Sequence, residues 1–158
     1  MLNRRAQAMT DFVWTLAQRG DVERAAALAE TISDPDYYGQ AMNRVIKALT
    51  SSGDLLRAET LARTITDSNR DVVAMATLAE AVARHGDLNR AESLARSITN
   101  PDFKVDALTA VADHADHARA SRIIAELLSA GEWLKPLPVI AKIAPAAVIA
   151  IADEILAS

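Results

Sequence analysis

Apolar positions recur along this chain with a helical period. Met9, Phe12, Val13 and Leu16 stand at i, i+3, i+4 and i+7, one face of an α-helix. Met42, Val45, Ile46 and Leu49 repeat that stripe, and Met75, Leu78, Ala79 and Val82 repeat it again. A second stripe follows each: Ala25, Leu28, Ala29 and Ile32; then Ala58, Leu61, Ala62 and Ile65; then Ala91, Leu94, Ala95 and Ile98. Between the two stripes of each unit stands a Gly-Asp pair, at Gly20-Asp21, Gly53-Asp54 and Gly86-Asp87, spaced 33 residues apart both times. A fixed period in this range marks repeated supersecondary units. Glycine can adopt the left-handed conformation that ends a helix, and the aspartate after it can cap the next helix by accepting from its free N–H groups. The pattern therefore predicts helix, turn and helix, three times over.

The joints between units carry their own signal. Asp34-Pro35 and Asn100-Pro101 each place a capping side chain before a proline, which fits the first helical position because its missing N–H would be unpaired there. The fourth unit departs from the others. Its turn reads His114-Ala115-Asp116, only 29 residues after His85-Gly86-Asp87. The four missing residues are about one helical turn, so its first helix is expected to be a turn shorter. Beyond Gly131 the pattern changes again: Pro136 and Pro138 interrupt the next segment, and Pro145 opens a last helix. Val148, Ile149, Ile151, Ile155 and Leu156 cover more of that helix than one buried face needs. The expected organisation is a single all-α domain over residues 1–158, with units at 1–33, 34–66, 67–99 and 100–130 and a C-terminal helical cap at 131–158. Tyr37, Tyr38 and Phe103 are expected to seal the joints, and Trp133 to pack the C-terminal helices together.

Composition narrows the function classes. Cysteine is absent, which excludes disulfides and cysteine-ligated metals. A net charge of −4 counts against a nucleic-acid backbone as partner. Arg4-Arg5 are not followed by an apolar run, and Lys142, Pro145, Asp153 and Glu154 break the apolar C-terminal stretch below what a membrane span needs. The expectation is a cytoplasmic protein with no membrane partner.

Little in the chain points to catalysis. His114 and His117 are spaced i, i+3, but they straddle a turn, and no metal-binding framework surrounds them. No phosphate cradle or nucleophile elbow is present, so neither an enzyme nor a cofactor or metal is expected. Glu59 with Arg63, and Glu92 with Arg96, read as i, i+4 pairs on a solvated outer face.

The helix-turn-helix units, with Met75, Leu78, Ala79 and Val82 in the first helix, the turn Gly86-Asp87 and the small Ala91 after it, resemble the tetratricopeptide repeat over about residues 5 to 130. Ala29, Ala62 and Ala95 replace the large aromatic usual in that family, so the resemblance is to a divergent, TPR-like variety. It implies a right-handed α-solenoid that acts as a protein-interaction scaffold, with the first helix of each unit lining a concave groove. Joints of the type Thr31-Ile32-Ser33-Asp34-Pro35 also look like those of helical arrays in large bacterial signalling ATPases, where such arrays are sensor or docking regions.

Under that implication, the first-helix residues off the buried stripe are candidates to contact a protein or peptide: Thr10, Trp14, Asn43, Lys47, Glu80 and Arg84. Stacking is expected to bring Trp14, Lys47 and Glu80 into one row. A plain solvent face would also vary from unit to unit as these positions do. An alternative from another class is self-association as a homodimer through Val148, Ile149, Ile151 and Ile155. Single-stranded RNA is a third, disfavoured by the acidic balance.

Overall fold

The computed structural model describes residues 2–65 and 70–149, and within them the side chains of 4–65 and 72–149. These residues form an all-α fold with no strand among them. Four helix pairs follow one another: α1 (Leu2–Gln18) with α2 (Val22–Glu30), α3 (Pro35–Ser52) with α4 (Leu55–Thr64), α5 (Arg70–Arg84) with α6 (Leu88–Ser97), and α7 (Pro101–His114) with α8 (His117–Ser129). A short α9 (Leu137–Ile143) comes next, and residues 145–149 are helical again. No described helix is long and apolar enough to cross a membrane.

The turns are built as their glycines require. Gly20, Gly53, Gly86 and Gly131 have φ of 83°, 83°, 92° and 88°. After each, the next residue donates its N–H five residues back into the helix: Asp21 to Leu16 (3.0 Å), Asp54 to Leu49 (2.9 Å), Asp87 to Val82 (3.2 Å) and Glu132 to Leu127 (3.0 Å). This is the closure that satisfies the otherwise unpaired carbonyls of a helix end. Asp54, Asp87 and Asp116 then cap the following helix, accepting from the N–H of Arg57, Arg90 and Arg119. Asp21 does not cap α2 as expected; its carboxylate turns instead to Arg24, 3.3 Å away. At the joints, Asp34 accepts from the N–H of Asp36 and Tyr37, and Asn100 from those of Asp102 and Phe103, each with proline next in the helix.

The fourth pair is shortened as its sequence implies. α7 has 14 residues where α3 has 18. Ala115, which replaces the glycine, stays extended at φ −84° and ψ 163°.

The pairs pack as two unequal layers. α1 lies against α3, α3 against α5 and α5 against α7, and each second helix lies against the first helix of the next pair. The second helices do not approach one another: no Cα pair between α2 and α4, α4 and α6, or α6 and α8 comes within 8 Å. Alanine allows the close spacing of the rest. Ala25, Ala29, Ala41, Ala58, Ala62, Ala74, Ala79, Ala91 and Ala95 are all fully buried. Interiors pack to crystal-like density, so a methyl at each of these sites sets how near the facing backbone comes.

Two details of the expected stripe are corrected. Phe12 is 64% exposed and lies outside the core, while Thr10 is fully buried with Ala6, Val13 and Ala17. The buried face of α1 is thus rotated relative to the most apolar reading of its sequence. Trp133 is 59% exposed, so it does not pack the C-terminal helices together. Tyr37, Tyr38 and Phe103 do pack against the core at the joints.

A β-branched residue resists positive φ, and no atom lies within 4 Å of a Cβ built on Gly86, so the backbone alone sets the cost there. Gly86→Val is expected to lower unfolding stability by about 1 kcal/mol or more, read from urea denaturation; an unchanged midpoint would contradict the turn.

Candidate functional site

The candidate groove residues lie on α1, α3 and α5, and of them Lys47, Glu80 and Arg84 are exposed. Trp14, half-buried, and Lys47, exposed, come from equivalent positions of α1 and α3, and both line one cleft of about 550 Å³. Ala17, Gln18, Ser51, Ser52, Asp54 and Arg57 complete its wall, which places it at the turn end of the first two pairs. The Lys47 ammonium has no ion-pair partner among the described residues. Glu80 does not join this cleft; it faces Arg84 of its own helix at 3.8 Å. Two members of the expected row, Trp14 and Lys47, thus share a cleft, and Glu80 lies outside it.

Thr10 is removed from the candidates. It is fully buried, its hydroxyl donates to the Ala6 carbonyl at 2.9 Å, and nothing could reach it without opening the core. Its place was misread because threonine is polar, yet a hydroxyl that bonds the carbonyl one turn back can be buried in a helix at little cost. Asn43, one period on, is half-buried, and its Oδ1 is shut from solvent with no hydrogen-bond partner. Ile149 is 61% exposed and Val148 half-buried, whereas Ile151 and Ile155 lie outside the described residues. His85 is occupied at its helix end, where Nδ1 meets the Ala81 carbonyl at 2.8 Å.

The charged face of the second helices is more than a solvated surface. Glu59 is held by Arg63 of its own helix and by Arg90 of the next second helix. Glu92 meets Arg96 at 2.9 Å and, across the seam, Arg122 at 2.9 Å. Arg96 also reaches Glu126 at 2.7 Å. The carboxylates are mostly buried, at 16% and 13% exposure for Glu59 and Glu92. The Arg90 and Arg63 guanidiniums hold the Glu59 carboxyl below its ordinary value, against the opposing effect of burial. Arg122 and Arg96 do the same for Glu92, and Arg96 for Glu126. These pairs close the gaps that the backbones of α4, α6 and α8 leave open. A signal was present in the sequence, in the recurrence of Arg57 and Arg90 at the same offset after Asp54 and Asp87.

The first seam lacks this closure. One period before Glu59 stands Ala26, and one period before Arg63 stands Glu30. Arg57 instead reaches Glu23. A second cleft of about 440 Å³ opens there, floored by Val22, Ala26, Ala27, Leu49 and Leu61 and rimmed by Glu23, Glu30, Arg57, Thr60 and Thr64. Val22, Leu49 and Arg57 line both clefts, so the two lie on either side of one seam.

Among the described residues no group of three or more His, Asp or Glu side chains is placed to hold a metal ion. The chain matches no protein-family model, and no curated protein or solved structure is significantly similar to it.

The lowered carboxyls fix the sign of an acid effect. A depressed folded-state value contributes stability that is present above the ordinary value of 4.5 and is lost as pH falls through the folded value. Stability is expected to fall below about pH 4.5 more steeply in the parent than in Glu92→Gln. The difference should be roughly 1 kcal/mol, since the arginines remain partly in solvent. Parallel denaturation curves at pH 6 and pH 3 for the two proteins would contradict the cross-seam role of Glu92.

Proposed function

We propose that this chain is a non-catalytic protein- or peptide-binding scaffold, built as a right-handed TPR-like solenoid with a repeat of about 33 residues. The observation that carries the reading is the shared cleft of Trp14 and Lys47. Successive first helices contribute to it an aromatic surface, an ammonium with no ion-pair partner among the described residues, about 550 Å³ of space and a rim of serines. An indole offers a large apolar contact, and an ammonium close to it recognises a carboxylate through a charge-assisted hydrogen bond. The fitting occupant is a short segment of another protein that carries an apolar side chain next to an acidic one. The likeness to helical arrays of bacterial signalling ATPases supports placing the scaffold in a cytoplasmic signalling protein, as a docking region.

Peptide display against the purified chain tests this. Selected peptides are expected to pair an apolar with an acidic residue. Lys47→Ala and Trp14→Ala should each weaken their binding about tenfold, the worth of one charge-assisted bond or one aromatic contact, with the melting temperature within a degree or two of the parent. Selected peptides that bind both variants as tightly as the parent would move the site away from this cleft.

A second reading is favoured by the chain's far end, where Trp133, Leu134 and Ile149 are exposed at 59%, 82% and 61%. Large exposed apolar side chains can mark an association surface. A homodimer through this end is expected to dissociate in Ile149→Glu, because the interface would then bury an unpaired charge. Sedimentation velocity of the parent as a monomer at high concentration would remove it.

A further inference from the structure

The upstream side of each hairpin is built alike, and only the first is left uncovered. In α3, Ala41 and Val45 are fully buried and Ala48 is half-buried; in α5, Ala74, Leu78 and Ala81 are fully buried. In α7, Ala107 and Val111 are buried as well. One period before Ala41, Val45 and Ala48 stand Ala8, Phe12 and Thr15, all exposed. Residue type does not explain the contrast, since phenylalanine is larger than valine and at least as apolar. Packing does. α3 lies on α1, α5 on α3 and α7 on α5, so this face is covered in each case by the preceding first helix. Nothing among the described residues stands in that place beside α1.

The charges of the same edge repeat the contrast. Arg57, Arg90 and Arg119 stand third in their helices and reach back to the preceding second helix: Arg57 and Arg90 pair with Glu23 and Glu59, and Arg119 lies 3.8 Å from Glu92. Arg24 holds the same position in α2. Among the described residues it meets only Asp21 of its own turn, and its side chain is 80% exposed.

We propose that the upstream edge of α1 and α2 is a docking surface for a helical hairpin of this same repeat type. Its first helix would lay small apolar residues over Ala8 and Phe12, and its second would offer a carboxylate to Arg24. A second copy of this chain does not provide that hairpin. Within the chain each downstream side is occupied by the next pair, and that of α7 by α9. Lys135, just before α9, and Lys142 within it bind Asp106 and Asp113, each at 3.0 Å.

The chain's own second hairpin serves as the probe. A copy of residues 34–66 placed directly before Met1 keeps the 33-residue register and sets a copy of Glu59 where Arg24 can reach it. The extended protein is expected to unfold in one cooperative transition, with a midpoint raised by about 5 °C or more, because neighbouring repeats stabilise one another through their interface. Phe12→Arg should leave the parent's midpoint unchanged, since the residue is exposed there, and lower that of the extended chain by several degrees. In a double-mutant cycle, Arg24→Ala and loss of the copied glutamate should cost less together than the sum of the two. Two separate transitions, an unmoved midpoint, or a Phe12→Arg effect equal in both proteins would overturn the proposal. So would a parent that sediments as a dimer which Phe12→Arg dissolves, because a second copy would then be the occupant.

Discussion

The close approach of successive first helices, permitted by alanine, is the constraint on which the rest of this structure depends. A single helix pair of this size cannot bury both of its apolar faces. Stacking buries them only if neighbouring backbones come close, and that distance is fixed by Ala41, Ala58, Ala62, Ala74, Ala79, Ala91 and Ala95, all with no exposure. The large residues, Met42, Ile46, Leu78, Leu108 and Ile123, then fill what the alanines leave. Alanine also keeps helix formation favourable at those positions, since it loses no side-chain entropy on ordering. The glycine turns serve the same end by reversing the chain within two residues, so that each second helix returns alongside its partner.

Tight packing in one layer leaves the other layer open, and electrostatics fills the opening. The second helices stand too far apart for backbone contact, yet Glu59 and Glu92 are mostly buried between them. A carboxylate in that position is tolerable only because guanidiniums from both sides meet it, Arg63 and Arg90 in one case, Arg96 and Arg122 in the other. Their planar forks can satisfy two oxygens at once, which a lysine at the same place would not. Isolated surface pairs contribute little; here Glu59 and Glu92 are each shared by two arginines, so each forms a small network, one across α4 and α6 and one across α6 and α8.

The helices, their glycine turns and their proline joints were legible in the sequence because each follows from residues close together in the chain. The missing turn of α7 was legible too, from the shorter interval between Gly86 and Ala115. What was not legible depends on neighbours distant in sequence. Phe12 fits the apolar stripe of α1 by type, and only the absence of a covering helix leaves it exposed. Thr10 looks like a surface residue until the Ala6 carbonyl and the packing of α3 are seen around it. The cross-seam pairs lie about a repeat apart, where intrahelical spacing rules say nothing. Of the candidate groove, the pairing of Trp14 with Lys47 in one cleft followed from period arithmetic, whereas the contact of Glu80 with Arg84 at 3.8 Å lies within one helix.

The seam that carries the candidate site is also the one whose ionic closure is broken, and both facts have one origin. Ala26 stands where the repeat elsewhere places Glu59 and Glu92, and Glu30 where it places Arg63 and Arg96. Without the central carboxylate Arg57 turns to Glu23, one helical turn earlier, and the volume it would have filled stays open as an apolar cleft. Val22 and Leu49 line both that cleft and the one lined by Trp14 and Lys47, so the two clefts share these side chains. The α4–α6 seam, where Arg63 and Arg90 meet Glu59, keeps a smaller cleft of about 360 Å³ over Ala62, Ile65, Val72, Met75 and Ile98. The first helix pair thus differs from the next two by lacking the carboxylate that gathers arginines across the seam.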